Sequence, residues 1–402
     1  MKKKIIVVDD EYPSIDHLKT VHAHDYILNA EYRDSGFELS IFCNNDSYMS
    51  LSYYLKLIAR ARNHKIIEHD RINIKKRSVK TNSEYQIAIL VDPEEINPPS
   101  TLDSLIKMEF IAKKSGMNVQ LVRYKELKDT LKDYDGLFIR ETTAVDHYTY
   151  EFAKQAEELG IVVIDDPDSI MQCTNKVYLH ELFAVNNIPE LHSEIACAEN
   201  LVQLSEKITF PCVIKVPDSC CSLGVFKIND ASEFIARTSV LLKDSRFLLV
   251  QEFYKTEFDW RIGILNNELL FACKYFMSRN GWQIIDYSNP DEERISKCGR
   301  TENIPLKDVP GCVLETALKA SALVGNGLYG VDLKEKDGSC VVIEINDCMD
   351  IDMPFEITED DDSALIKIFE VFKKRITEKR KPSSEKTFPG KSILVHEEAY
   401  SG

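Results

Sequence analysis

The run Val341-Val342-Ile343-Glu344-Ile345-Asn346 sets a carboxylate and an amide in a segment otherwise built of strand-forming aliphatic residues. Side chains alternate along a strand, so Glu344 and Asn346 share one face. The aliphatic neighbours place the strand in a core. An uncompensated carboxylate there costs on the order of several kcal/mol. Twelve residues upstream, Asp332 occupies a similar run, Tyr-Gly-Val-Asp-Leu-Lys, 329–334. The connection between the runs contains Asp337-Gly338, a hairpin signal. A hairpin predicts Asp332 beside Glu344 and Asn346. Hard oxygen donors of that kind suit Mg2+ or Mn2+ together with phosphate. The competing reading is an ion pair with a nearby lysine.

The rest of the chain narrows the possible roles. With 402 residues it can form two to four domains. Its net charge of −16 argues against nucleic acid as a main partner, because phosphate backbones demand a basic surface. Charged residues interrupt every long apolar run, so no membrane span is expected. The basic start Met1-Lys2-Lys3-Lys4 precedes four apolar residues, short of the roughly 7–15 of a secretory segment. Eleven cysteines include no C-x-x-C pair. That pattern fits reduced thiols in the cytoplasm and disfavours both a disulfide framework and a zinc site. Ile5-Ile6-Val7-Val8-Asp9-Asp10 looks like the start of a receiver domain with Asp46 as phosphoacceptor. The interval is too short for two β-α units, so the plain reading is a first strand and an acidic turn.

The organisation is α/β and then α+β. Strands are expected at 4–8, 38–43 and 66–68, with a helix around 51–58 and a polar linker at 70–84. From 85 a strand–helix alternation begins, which predicts a parallel sheet with helices on its faces. A strand at 85–92 leads to a helix opened by Ser100 and stopped by Gly116. Strands at 135–140 and 161–166 follow. Beyond about 169 the pattern becomes antiparallel. A hairpin is expected over 210–228, strands near 246–253, 260–266, 268–277 and 281–286, and a last helix near 363–379. The expected divisions are 1–80, 81–168, 169–380 and a loose tail, 381–402.

Basic and small residues are spaced to meet phosphates near the Asp332 pair. Lys176 opens a helix. Lys215 lies mid-strand just before the small-residue segment 218–224, in which Ser219, Ser222 and Gly224 could offer backbone N–H groups. Gln251-Glu252-Phe253-Tyr254 closes a strand, and Glu257, Asp259 and Arg261 follow. Cys220 and Cys221 fit a tight turn. Arg140, at a strand end, could clamp a substrate carboxylate or instead form a salt bridge to Glu141 or a helix, and Lys274 and Tyr275 could face phosphate or acceptor.

This ordered set, from Lys176 through Asn346, resembles the ATP-grasp superfamily, and within it the RimK-like carboxylate–amine ligases, over about 169–380. The segment 44–65 is similar to the RimK-like ATP-grasp N-terminal domain. The resemblance implies N-terminal parallel-sheet domains followed by a two-subdomain ATP-grasp fold. It implies ATP held by Lys176, Lys215, the 218–224 loop, Gln251 to Tyr254, Glu257, Asp259 and Lys274. It implies two Mg2+ ions on Asp332, Glu344 and Asn346, with Mn2+ as a substitute. Lys215 and Arg261 would be catalytic, and Arg140 and Tyr275 would meet substrate. The implied reaction joins a small-molecule or peptide carboxylate to an amine through an acylphosphate. Alternatives are a thiol or hydroxyl acceptor, or a nucleotide-binding scaffold without catalysis. A homo-oligomer is compatible with the sequence.

Overall fold

The computed structural model describes residues 85–381 except 96, 220–221, 280, 286–297, 354 and 359–360, and, before them, four strands and Tyr26. The chain divides into two compact units, Met1–Asn82 and Ser83–Gly402. The helix expected near 51–58, the linker at 70–84, Asp46, the two loop cysteines and the tail beyond 381 lie outside the described residues.

In the first unit, β1 (Lys3–Val8), β2 (Thr20–His22), β3 (Phe37–Phe42) and β4 (Lys65–Glu68) form a parallel sheet in the order β2-β1-β3-β4. Val7, Leu39 and Tyr26 are fully buried.

The second unit opens on another parallel sheet of the same strand order. It comprises β5 (Tyr85–Leu90), β6 (Met117–Val122), β7 (Gly136–Ile139) and β8 (Val162–Ile164), arranged β6-β5-β7-β8. Its helices are α1 (Leu102–Lys114), α2 (Tyr124–Thr130), α3 (Tyr148–Glu158) and α4 (Pro167–Thr174). Both faces are covered, so its strands read as apolar runs without alternation. Ile87, Ile89 and Phe138 pack with α1, while Ala88, Leu137 and Ile139 pack with Phe152 and Ala156 of α3. Gly116 ends the first helix with φ +80°, as expected. The helix start differs. Thr101 precedes the first turn, and the Ser100 hydroxyl instead donates to the Ile351 carbonyl.

Two antiparallel sheets follow, after α5 (Lys176–Val185). The smaller joins β9 (Ser193–Ala196), β10 (Cys212–Lys215), β11 (Val225–Ile228) and β12 (Leu248–Glu252) in the order β11-β10-β12-β9, with helices α6 (Leu201–Lys207) and α7 (Ala231–Leu241). The larger is ordered β15-β14-β13-β16-β17 and uses β13 (Phe258–Leu265), β14 (Glu268–Phe276), β15 (Thr301–Asn303), β16 (Leu328–Lys336) and β17 (Ser339–Asn346). The described part of 281–286 is not a strand. It contributes one isolated bridge, Ile285 to Cys298.

Alternation divides the larger sheet into two chemistries. Trp260, Ile262, Val331, Leu333, Val342 and Ile345 face α8 (Gly311–Val324), packing on Val313, Ala317 and Ala320. The opposite face holds charges. The last helix, α9 (Ser363–Arg380), returns to the parallel sheet, where Phe369 and Phe372 join the core containing Phe138. Among the described residues, no helix is long and apolar enough to cross a membrane.

Candidate active site

The charged face is assembled by strand register. Asp332 pairs with Arg261 on one side and with Glu344 on the other, and Gly330 pairs with Asn346. The β16–β17 turn is the expected one, with Asp337 at φ +56° and Gly338 at φ +77°. That turn alone would have failed. It pairs Leu333 with Val342, which in an unbroken ladder sets Asp332 opposite Ile343 and sends Glu344 to the other face. A bulge at Ile343 inserts one residue and brings Glu344 opposite Asp332.

Asp332 is the deeply buried carboxylate, with 8% of its side chain exposed, whereas Glu344 keeps 28%. The two carboxylates expected side by side thus differ in depth. Asp332 accepts from Arg261 Nε at 2.5 Å and from its Nη2 at 2.8 Å, and from Asn346 Nδ2 at 3.2 Å. Burial pushes its carboxyl up, and the Arg261 guanidinium pulls against that rise. Burial also works to raise Glu344, but Lys176, whose Nζ lies 3.8 Å away, and Lys215 outweigh it and hold the carboxyl below its ordinary value. The structural ion pair weighed from the sequence is thus present, with Lys176 as its cation.

Lys176 stands at the first position of α5, where Asn175 caps the Tyr178 amide. Its ammonium also donates to the Ser219 carbonyl. Its backbone N–H donates to the Pro217 carbonyl at 3.1 Å, and Asn175 Nδ2 donates to Asp218 at 2.9 Å. The small-residue loop is therefore seated on the start of this helix. Within it, the Val216 amide donates to the Gly224 carbonyl at 2.9 Å, and Ser219 Oγ donates to the Val216 carbonyl. Gly224 has φ +73°, and a Cβ there would stand 2.9 Å from Ser219 Cβ. Ser222 carries φ +60° and its carbonyl accepts from Gln283. Lys215, at the end of β10, is 7% exposed, and burial pushes its ammonium down to about 8.

Gln251 is buried near the end of β12, its Nε2 donating to Ser193 Oγ at 3.0 Å, while its enclosed Oε1 has no partner among the described residues. It lines a narrow cleft with Lys176, His180, Glu190, Ile343 and Glu344. Glu252 is exposed and accepts from the His192 amide. Lys227 Nζ lies 4.0 Å from the Phe253 ring centre, and Lys336 Nζ 5.6 Å from that of Tyr254. Glu257 is exposed and directly precedes β13, the central strand of the larger sheet. Asp259 accepts from Thr256 and from Lys334.

Three expected site residues are placed otherwise. Lys274 pairs with Trp260, on the α8 side, and its ammonium lies 4.5 Å from the Phe258 ring and 4.9 Å from the Trp260 ring. It points away from Asp332. Arg140 is 1% exposed and donates to the Pro99 carbonyl at 2.5 Å, the Met349 carbonyl at 2.8 Å and Ser100 Oγ. Its guanidinium ties two loops together and is not presented to a substrate carboxylate; nor does it pair with Glu141. Tyr275 is on the charged face, under the Arg261 guanidinium, but its hydroxyl is spent on Glu356. Asp347, next to the Asn346 amide, was missed. Burial pushes it up to about 8, and Thr143 donates to it at 2.6 Å.

Gly330 is required where it stands. A Cβ would meet Arg261 Cδ and Met349 Cβ, each at 2.9 Å. Gly330→Ala is expected to cost about 1–3 kcal/mol of stability, the usual toll of overpacking, and to shift Arg261 off Asp332. Thermal unfolding and a crystal structure of the variant check both.

The parallel sheet, the small antiparallel sheet and the charged larger sheet together form the fold of the ATP-grasp ligases, ADP-forming enzymes that make carbon–nitrogen bonds. Residues 173–368 match the model of the RimK-like ATP-grasp domain. An α-aminoadipate–LysW ligase, LysX, of Saccharolobus solfataricus is 27% identical over 199 residues, covering 47% of this chain and 67% of the relative. The tetrahydromethanopterin:α-L-glutamate ligase of Methanocaldococcus jannaschii is 24% identical over 240 residues, covering 58% and 77%. The D-alanine–D-alanine ligase of Bacillus anthracis superposes with a TM-score of 0.56 at 18% identity, over 73% of this chain and 99% of that one, a likeness of fold.

Proposed function

We propose that the protein is an ATP-dependent carboxylate–amine ligase that works through an acylphosphate, with an amino acid or peptide among its substrates. The observation that carries this reading is the single charged face on which Arg261, Asp332, Glu344 and Asn346 meet, with Lys176 and Lys215 beside it. The relatives named above are, by name, ligases of α-aminoadipate and of α-L-glutamate, which favours an amino acid here. On this reading 169–380 is the catalytic domain, 81–168 the α/β region that flanks it, and 1–80 a RimK-like N-terminal region.

The donor set fits Mg2+. Two carboxylates lie opposite each other in register with an amide beside them, all hard oxygen ligands, and burial already raises one of the carboxyls. Among the described residues no group of three His, Cys, Asp or Glu could hold a metal ion, so the set depends on Asn346 and on phosphate oxygens. Asp332, Glu344 and Asn346 would hold the metal, which would offset the charge of the polyphosphate. Lys176 and Lys215 bind the phosphates. Gln251 to Tyr254 would line the base, and Glu257 would meet the ribose hydroxyls. The loop holding Ser219, Ser222 and Gly224 covers the phosphates and excludes water from the acylphosphate. Arg261 stabilises charge on the phosphoryl or tetrahedral oxygens. A substrate carboxylate takes the γ-phosphoryl group, and an amine then displaces phosphate.

Incubation with ATP, Mg2+ and pooled amino acids and short peptides tests the proposal. ADP release that requires substrate, with a product lighter than the sum of its parts by one water, is the expected result. AMP in place of ADP would overturn the acylphosphate mechanism.

Lys215 gives the site a pH dependence. Its folded-state pKa of about 8 lies below the ordinary lysine value, so the charged form prevails only below pH 8. Nucleotide affinity is therefore expected to fall as pH rises through 8, and to be flat there in Lys215→Gln. Stability runs the other way. Between about 8 and the ordinary lysine value the unfolded chain binds more protons at this residue, so its contribution to stability rises with pH in that window. Titration calorimetry with ADP from pH 7 to 9.5 reads the first effect.

A further inference from the structure

Two loops leave the carboxyl ends of adjacent parallel strands, the position at which open α/β sheets present ligand-binding groups. The loop after β5 carries Asp92 and Glu95, and the loop after β7 carries Glu141, Thr142 and Thr143. Glu141 is 1% exposed. Its Oε2 accepts from the Tyr148 hydroxyl, while its enclosed Oε1 has no partner among the described residues. Buried polar atoms are nearly always satisfied, so this one calls for a donor from outside the protein. A proton on Glu141 itself does not supply one, because a hydroxyl at Oε1 would lack an acceptor in turn.

The surroundings define what that donor carries. Glu95 accepts from the Thr142 amide at 3.2 Å and from its hydroxyl. Asp92 and Glu95 both act on Glu141, and no lysine or arginine pairs with any of the three among the described residues. The guanidinium of Arg140, next in sequence to Glu141, is turned onto Pro99, Ser100 and Met349. The same corner is aromatic. The Tyr148 ring lies 3.9 Å from His147 and 4.5 Å from Tyr124. Acids edged by aromatic rings suit an organic cation. The cluster also touches the charged sheet. The Glu141 carbonyl accepts from Cys348 Sγ at 3.2 Å, and Thr143 holds Asp347, which follows Asn346 directly.

We propose that Glu141, with Asp92 and Glu95, receives a primary ammonium group of a substrate. The inference rests on the ligase reading above and names one substrate as an ammonium-bearing compound. A compact ammonium offers three N–H donors, enough for Glu141 Oε1 and an oxygen from each neighbour. Held by carboxylates, that nitrogen stays protonated and cannot attack an acylphosphate. It is therefore a recognition group, distinct from the nucleophile, and a neutral or acylated analogue is rejected. Burial, then the Asp92 and Glu95 charges, push Glu141 up to about 7, against the Tyr148 hydrogen bond. A cation arriving there favours the ionised form.

The test is binding, independent of turnover. L-alaninamide and its N-acetyl derivative are titrated calorimetrically into the full chain at pH 8, with Mg-ADP titrated separately. Alaninamide is expected to bind and the acetyl derivative not. Glu141→Gln is expected to weaken alaninamide at least tenfold and to leave Mg-ADP unchanged. If Glu141→Gln does not fold, Glu95→Gln decides, with the same expectation. No alaninamide binding to the unaltered chain, or equal affinity in the variant, overturns the proposal. Alaninamide binding as expected in a chain that binds no Mg-ADP would sink the nucleotide reading and leave this site standing.

Discussion

Glu344→Gln should abolish substrate-dependent ADP release while leaving the chain folded. The substitution keeps the shape of the side chain and removes its charge. In the ligand-free fold Glu344 is partly exposed and faces two lysines. A neutral amide leaves Lys176 its bond to the Ser219 carbonyl, so the cost to stability should stay near 1 kcal/mol, the scale of a partly solvated ion pair. Turnover is another matter. If Glu344 is a metal ligand as proposed, the substitution would remove a charge that helps fix metal and phosphate together, and a drop of at least about 10³ is expected. Unfolding by circular dichroism and a coupled ADP assay separate the two effects. Normal turnover in a folded variant would refute the assignment of Glu344 as a metal ligand.

Arg261→Leu should damage both stability and catalysis. Its guanidinium makes two hydrogen bonds to Asp332, and both side chains are about nine-tenths buried. Removing the cation strands a carboxylate inside the sheet, at a cost of about 3–5 kcal/mol. Asp332→Asn in the same chain removes the stranded charge, so the double variant should recover much of the stability. It should recover none of the activity, because both the proposed metal ligand and the proposed oxyanion-stabilising group are then gone. The single variant should retain at most about 10⁻² of the rate. Chemical denaturation of the four chains of this double-mutant cycle measures the coupling. Additive stabilities would show that the pair is not energetically linked.

Much of the fold was legible because apolar periodicity is a strong signal. The parallel sheet of 85–164 shows as strands alternating with helices, and the Asp337-Gly338 turn announces its hairpin. The short elements β9, α2, α4 and α6 escaped, since a few residues of weak periodicity do not stand out from loops. Side-chain facing was the harder problem, because a single bulge reverses it. The Asn266-Asn267 turn, regular throughout, would set Lys274 opposite Asp259 on the charged face. An irregularity at Gly263 and Ile264 sets it opposite Trp260 instead. The same kind of irregularity at Ile343 worked in favour of the expectation for Glu344. Bulges carry no reliable signature in these residues. Arg140 shows a different limit. A strand-end arginine offers donors to ligand or protein alike, and only the course of the Pro99 and Met349 loops decides between them. Glu141 was read from the sequence only as a possible partner of that arginine.

The small antiparallel sheet meets the rest of its unit through two strands of chain, both at the Glu252 end. There the Val342 amide, on β17, donates to the Pro189 carbonyl at 2.8 Å just before β9 begins. The loop at the opposite end is fastened to Asn175 and Lys176 by three hydrogen bonds. A panel mounted along one edge and latched at the other could swing only about that edge, and only once the latch opened. Nucleotide phosphates would compete for the same lysine ammonium that holds the latch shut. On the proposed reading, the group that would greet the ligand is also the one whose bond fastens the loop.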